Sequence, residues 1–370
     1  MWRRVVFLGL FLCAWLNFVD VDADTLLLVN AVWRHGDRTP LGTYPKDPNK
    51  NRFSQFGVLT STGAKQQKKL GKWLRKRYVT NLQFLPSKLR RKLIYAQSTD
   101  YSRTINSAKN NFRGMYGKIP KIKVVSRTSD IYLAPLYGCK RAIRFNELIQ
   151  KTPKYKKYAS SKKSLFNRLT SLTGTKQSLP VMPKLQDTIF IEKKKGMSIP
   201  KAINNLFPQI DAAATRHRAM SYGYDMGNYS GHNLEVEVPK ALGGPWLQKV
   251  IKSMNQKLNN NTDLKYIAYS AHDSTLLNIL STFGFKFFDY DKNAIPPYAS
   301  VLLVELWQNS TSNVPYVQIL YKRGKKLTDL SAKISGCKNT TNGCTFDQFR
   351  NRSEPYLPNG SAKAFCKRLP

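Results

Sequence analysis

The chain has 370 residues, 41% of them apolar and 12% aromatic. That composition excludes a fibrous or disordered protein and suits one large domain, or a domain with a sizeable insertion. Its 61 Lys and Arg against 22 Asp and Glu give a formal net charge of +39, but they are spread along the chain with no nucleic-acid-binding motif. Most of these lysines are expected on solvated faces. Specific nucleic-acid recognition is set aside in favour of anionic partners: phosphorylated substrates, sulfated glycans or acidic surfaces.

Residues 1–23 read as a secretory signal peptide. Arg3 and Arg4 form a basic start, 5–19 are mostly apolar, and Val21-Asp22-Ala23 offers a small-residue cleavage site. The expected mature chain is soluble and secreted or luminal, the lysosomal lumen included, and no second long apolar run follows. Residues 26–32 are apolar and read as a buried strand. They run into Arg34-His35-Gly36-Asp37-Arg38-Thr39-Pro40, expected in the loop leaving that strand. Ligand sites of α/β sheets lie beyond the carboxyl ends of strands. An imidazole between two guanidinium groups is biased towards its neutral, nucleophilic form, and the arginines suit a tetrahedral oxyanion. Gly36 is expected to allow a tight turn there.

Residues 39–56 read as a polar loop near a site entrance, followed by a helix from near Thr62. Leu70, Trp73, Leu74 and Tyr78 recur on one face of it and are expected to pack on the sheet. Residues 93–96 read as a strand, Ser98-Thr99-Asp100 as helix caps, and Ile105, Ala108, Phe112 and Met115 as the next helix. Arg103 then falls in its first turn, where a helix N-terminus favours anions. Residues 122–125 suggest another strand. From 130 to 238 the texture becomes helical, Lys-rich and Pro-punctuated, which reads as an inserted cap. Its His217 and His232 are expected to be structural or exposed. A helix opens at Gly243-Gly244-Pro245, with Leu247, Val250, Ile251, Met254 and Leu258 on its apolar face. Residues 264–269 read as a core strand ending near Ser270-Ala271-His272-Asp273, residues 274–283 as a helix, and 299–307 and 316–321 as two paired strands.

Taken together, Arg34 to Pro40, Ser98-Thr99-Asp100 with Arg103, His272-Asp273 and Pro296-Pro297-Tyr298-Ala299-Ser300 resemble the signature of the histidine acid phosphatases, in the right order along nearly the whole chain. The resemblance implies the phosphoglycerate mutase-like fold: an α/β domain (24–129 and 239–370) with an open, mostly parallel sheet flanked by helices, and a smaller helical cap inserted at 130–238. It implies that Arg34, Arg38, Arg103 and His272 bind phosphate, that His35 attacks phosphorus, and that Asp273 protonates the leaving oxygen, with no metal and no cofactor. Asp187 matches a recurrent cap position and is taken as a candidate at the pocket rim. Small phosphomonoesters are the implied substrates, and a homodimer is a family habit.

Cys13 leaves with the leader. Four cysteines remain, Cys139, Cys337, Cys344 and Cys366, which suit an oxidising compartment and allow three pairings. The family resemblance implies Cys139 with Cys366 and Cys337 with Cys344. Asn228, Asn260, Asn309, Asn339, Asn351 and Asn359 open glycosylation sequons. Relatives often carry a further Cys where this chain has Val301, bridged to the cap, so a looser cap is expected. The rival function is a catalytically weakened secreted binding protein on the same fold, for small ligands or polyanions.

Overall fold

The computed structural model describes residues 23–285, 295–337 and 343–370. The expected leader up to residue 22 and the sequon at Asn339 lie outside the described residues.

Strand β1 (Thr25–Arg34) is buried on both faces. Val29, Ala31 and Trp33 point to one side, Leu28 and Val32 to the other, as the period of two requires. β1 is longer than expected and carries Arg34 inside the strand. Helix α1 (Ser61–Arg75) follows, capped by the Thr60 side chain on the Gly63 amide. Then come β2 (Ile94–Thr99), α2 (Ser102–Tyr116) and β3 (Ile122–Val125). Leu70, Leu74 and Tyr78 are buried as expected, and Trp73 partly. Ser98 and Thr99 belong to β2, and the residue at the start of α2 is Tyr101, with no side-chain cap. The expected capping role is therefore corrected: a strand running to Thr99 leaves its hydroxyl pointing at the site described below.

The stretch from 130 is helical, holding α3 (Pro135–Gly138), α4 (Lys140–Lys151), α5 (Pro153–Ser161), α6 (Lys163–Thr173), α7 (Met182–Lys194), α8 (Lys201–Ser221) and α9 (Leu234–Leu242), so the expected boundary at 238 falls within α9. A two-residue hairpin, β4 (Asn228–Tyr229) with β5 (His232–Asn233), interrupts them. The chain closes through α10 (Gly244–Leu258), β6 (Tyr266–Ala271), α11 (Asp273–Ser281), β7 (Val301–Gln308), β8 (Pro315–Arg323), β9 (Lys326–Asp329), β10 (Cys344–Thr345), α12 (Phe346–Ser353) and α13 (Ala362–Lys367).

The sheet order is β10-β8-β7-β1-β6-β2-β3, with β9 on β8. The four strands β1, β6, β2 and β3 pair in parallel, and β7 to β10 extend the sheet antiparallel. Helices cover both faces, as parallel strands demand. Trp33, Leu74 and Phe112 centre the apolar cluster beneath α1 and α2. The cluster on the other face runs without a break from Val32 and Tyr269 through Trp246 into Phe145, Leu169 and Ile210 of the 130–238 helices.

Those helices are also tied covalently, since Cys139 is bonded to Cys366 across 227 residues; Cys337 is bonded to Cys344. Val301 is fully buried in β7. Asp24, the first residue after the expected cleavage site, accepts hydrogen bonds from Tyr316 Oη (2.8 Å), the Ser310 amide (2.9 Å) and Asn309 Nδ2 (3.1 Å). The sequon amide of Asn309 is thus engaged in the fold, whereas Asn228, Asn260, Asn351 and Asn359 are exposed. Among the described residues no helix is long and apolar enough to cross a membrane.

α1 and α2 cross at glycines. A Cβ on Gly71 would sit 1.9 Å from the Asn111 carbonyl oxygen, and one on Gly114 would sit 2.1 Å from that of Lys68. Gly71→Val should therefore force the helices apart and destabilise the protein by about 3 kcal/mol. Urea unfolding measures it, and an unchanged midpoint would contradict the backbone contact.

Candidate active site

The parallel register of β1 and β6 sets Arg34 opposite Ala271. The next residue of each strand is a histidine, so His35 and His272 emerge side by side at the carboxyl edge. Their ring centroids lie 5.5 Å apart, and the His35 amide donates to the Ala271 carbonyl (3.0 Å). β2 pairs with β6 from the other side, Ser98 opposite Ser270, which brings Thr99 to His272. The N-termini of α2 and α11 also open here, with Arg103 and Asp273 in their first turns. Their dipoles favour an anion. All six residues expected in the site (Arg34, His35, Arg38, Arg103, His272 and Asp273) gather at this one edge.

His35 is 2% exposed. Its Nδ1 lies 2.8 Å from the Gly36 carbonyl oxygen. A carbonyl only accepts, so Nδ1 carries the hydrogen and Nε2 keeps its lone pair. Burial, then the charges of Arg34, His272, Arg103 and Arg38, push its pKa well below the ordinary value. Gly36 is needed for a reason other than the turn expected from the sequence. Its Cβ would fall 2.3 Å from the Gly63 carbonyl oxygen, where the loop packs on the start of α1. Gln67 of α1 donates to the Arg34 carbonyl (2.8 Å) and holds the strand end in place.

Each arginine has a positioning partner. Arg34 pairs with Asp273 (2.8 Å), donates to the Pro296 carbonyl (2.7 Å) and lies 4.2 Å from the centroid of the Tyr298 ring. Arg38 forms two parallel bonds to Asp187 (both 2.9 Å), and Asp187 also accepts from the Leu41 amide (3.1 Å). Asp187 is therefore more than a rim residue: it reaches from α7 to fix Arg38. Arg103 donates to the Gly57 carbonyl (3.3 Å) and stacks on Tyr101 (4.2 Å), while burial and then Arg38 lower its pKa to about 10.

His272 Nε2 lies 2.9 Å from Thr99 Oγ1, and its Nδ1 lies 3.4 Å from an Arg103 nitrogen. Burial and Arg103 lower its pKa to about 3, so it too is neutral. Burial alone would raise the pKa of Asp273, but the charges of Arg34 and Arg38 win and hold it well below the usual carboxylate range. The Asp273 side chain remains 31% exposed, facing the cleft. The cleft holds about 240 Å³, with His35, Arg38, Arg103, His272 and Asp273 at its polar end and Tyr101, Leu133, Leu136 and Tyr137 along its walls.

Sequence reading missed Arg218 of α8. Its Nη2 donates to Gln186 Oε1 (2.5 Å), and its charge helps keep Asp273 ionised. It also missed Lys194, which pairs with Asp37 (2.9 Å) and lies 4.9 Å from the Tyr298 ring centroid. Neither has a local signal in so basic a sequence. The Nε atoms of Arg34, Arg38 and Arg103 and Nη1 of Arg218 are buried without a hydrogen-bond partner among the described residues. Arg38 and Arg103 line the cleft, and Arg34 and Arg218 act on Asp273 beside it, so the cleft is rich in guanidinium charge and suits an anion.

Comparison with known proteins agrees with this geometry. Human lysosomal acid phosphatase is 29% identical over 378 residues, covering 96% of this chain and 84% of that protein. Prostatic acid phosphatase of Rattus norvegicus is 27% identical over 371 residues, covering 95% and 92%. Among solved structures, the phytase from Citrobacter braakii superposes with a TM-score of 0.65 at 14% identity, over 92% of this chain and 99% of that one, which speaks to the fold. The family description "Histidine phosphatase superfamily (branch 2)" matches residues 25–322, most of the chain including every residue of the cleft's polar end, and the protein belongs to that family.

Proposed function

We propose that this protein is an acid phosphatase that hydrolyses small phosphomonoesters through a phosphohistidine. One observation carries the reading: a buried, neutral His35 with its Nε2 lone pair unused, set among arginines whose donors are unfilled. The phosphoryl oxygens take the donors of Arg34, Arg38 and Arg103, which stabilise the charge that spreads over them. His35 Nε2 bonds to phosphorus as the ester P–O bond breaks in line with it. Asp273 gives its proton to the leaving oxygen. Water then attacks the phosphohistidine, its proton passes to the Asp273 carboxylate, and the N–P bond breaks to release phosphate.

Asp273 must hold a proton when the ester binds, yet it is ionised beside Arg34 in the free protein. A bound phosphoryl group competes for Arg34 and adds negative charge, and both effects raise the Asp273 pKa. An acidic medium completes the protonation. The same anion favours a protonated His272, whose Nδ1 then donates to phosphate. The arginines supply the positive charge the reaction needs, so the chain's own residues account for the chemistry.

A secreted or luminal location fits the leader-like start, the two disulfides and the exposed sequons. The relatives' names, acid phosphatases and phytases, support a phosphate ester as substrate. The basic surface and the sequons would suit the rival reading of a weakened binding protein, but the gathering of Arg34, His35, Arg38, Arg103, His272 and Asp273 at one edge supports the enzyme.

The test is hydrolysis of p-nitrophenyl phosphate from pH 3 to 8 with chelator present. An acid optimum is expected, with kcat reduced at least about a thousandfold in His35→Ala; a mutant near the native rate sinks the nucleophile. Asp273→Asn should cost about a hundredfold or more on alkyl phosphates and less on p-nitrophenyl phosphate, whose leaving group needs little protonation. An equal loss on both removes the acid role. Proton NMR of the four histidines tests the charge state. His35, His217 and His272 should all be neutral at pH 5 without ligand, because burial lowers the pKa of His217 to about 4, of His272 to about 3, and of His35 well below its usual value. Unfolded histidine titrates near 6.5. The unfolded chain therefore binds more protons, and stability from these groups is lost as pH falls from about 6.5 towards 3. Any of the three titrating near 6.5 refutes the assignment.

A further inference from the structure

The charge of this chain is not evenly matched along its length. From residue 48 to 129 the sole acidic residue is Asp100, against twenty Lys and Arg. That stretch folds as α1, β2, α2 and β3 with the loops between them, so the imbalance collects on one side of the sheet. Lys68 and Lys72 stand one turn apart on α1, and Lys76 continues the line in the turn that follows. Lys109 and Arg113 form a second line on α2. The glycine crossing described above brings the two lines together: the Lys68 backbone touches Gly114, the neighbour of Arg113. Arg75 reaches across to the Met115 and Ser87 carbonyls (2.9 and 3.2 Å), which places the Lys88 end of the next loop beside the same face.

Lys68, Lys72, Lys76, Lys109 and Arg113 are exposed, and none of the five has an ion pair among the described residues. A merely solvated face has no need of such a one-signed row, which costs self-repulsion. The face lacks two other things. No large apolar side chain is exposed within α1 or α2, so a membrane finds nothing to bury. No aromatic ring stands free for a base to stack on, since Trp73 is half-buried with Lys322 over it (5.0 Å). What remains is a set of exposed cations along two neighbouring helices, four ammonium groups and one guanidinium, whose charge suits a densely sulfated linear polymer. The sequons and disulfides suit a compartment where such polymers occur.

We propose that the α1–α2 face, centred on Lys68, Lys72, Lys76, Lys109 and Arg113, is a docking surface for sulfated polysaccharide. It is separate from the catalytic cleft and does not depend on the phosphatase reading. It would hold the protein on a sulfated matrix with the cleft free.

The experiment measures binding of a size-defined heparin oligosaccharide by the full chain at several salt concentrations. The test variant is K68Q/K72Q/K109Q/R113Q. The control is K156Q/K157Q/K163Q/K176Q, which removes the same charge from exposed lysines of the 130–238 helices. Each variant is accepted only if its melting temperature matches the parent. The slope of log Kd against log salt should fall by about three in the helix variant, by counterion release, and stay near the parent value in the control. Equal losses in both variants would mean a diffuse charge effect and overturn the site, as would no loss in either. Tighter binding to single-stranded DNA of equal charge, or to phosphatidylserine vesicles, would overturn the choice of a sulfated glycan.

Discussion

The parallel hydrogen bonding of β1 with β6 is the interaction on which the site rests. Arg34 lies opposite Ala271, so His35 and His272 leave the sheet as neighbours although 237 residues separate them in the chain. A slip of one residue in that register would turn Arg34 from one face of the sheet to the other and separate the imidazoles. The register is held by burial on both faces. Val29, Ala31 and Trp33 fill the cluster under α1 and α2, and Leu28 and Val32 fill the other. Core packing and catalytic geometry are thus one problem, solved once.

The same arrangement explains the charge pattern. Gathering guanidinium groups in a half-closed cleft is unfavourable unless something holds them. Asp187 holds Arg38 from α7, and Asp273 holds Arg34 from α11. Both histidines respond by staying neutral. A neutral His35 suits the proposed nucleophile, and Thr99 fixes the ring of His272. The site is short of negative charge, which is what the proposed phosphoryl ligand would supply. In the proposed mechanism Arg34, which pairs with Asp273, is also the partner of the phosphoryl group, and that competition frees Asp273 to take a proton.

The 130–238 helices belong to this electrostatic unit. They supply Asp187, Lys194 and Arg218, share an unbroken apolar cluster with the sheet, and are tied by the Cys139–Cys366 disulfide. The looser attachment expected from Val301 is offset by these contacts. Tyr101, Leu133, Leu136 and Tyr137 at the cleft wall offer apolar surface to a leaving group, while the basic α1–α2 face lies outside the cleft altogether.

By itself the sequence indicated β1, β2, β3, β6, β7 and β8, the helices α1, α2, α10 and α11, and the six residues that gather at one edge, but not the short strands β4, β5, β9 and β10. It could do so because short apolar runs and dense polar motifs are local signals, and these motifs resemble a known signature. The cysteine pairing was legible through that resemblance, since four cysteines alone allow three pairings. Only the tertiary structure decided the rest. The role of Gly36 lies in its contact with Gly63, and that of Thr99 in its contact with His272. Asp187 became a partner of Arg38, and Arg218 emerged from many similar residues. Each of these depends on what stands opposite in space, across 27 to 173 positions of chain. A side chain's partners, its burial and hence its charge state are set by that meeting, and no local pattern encodes them.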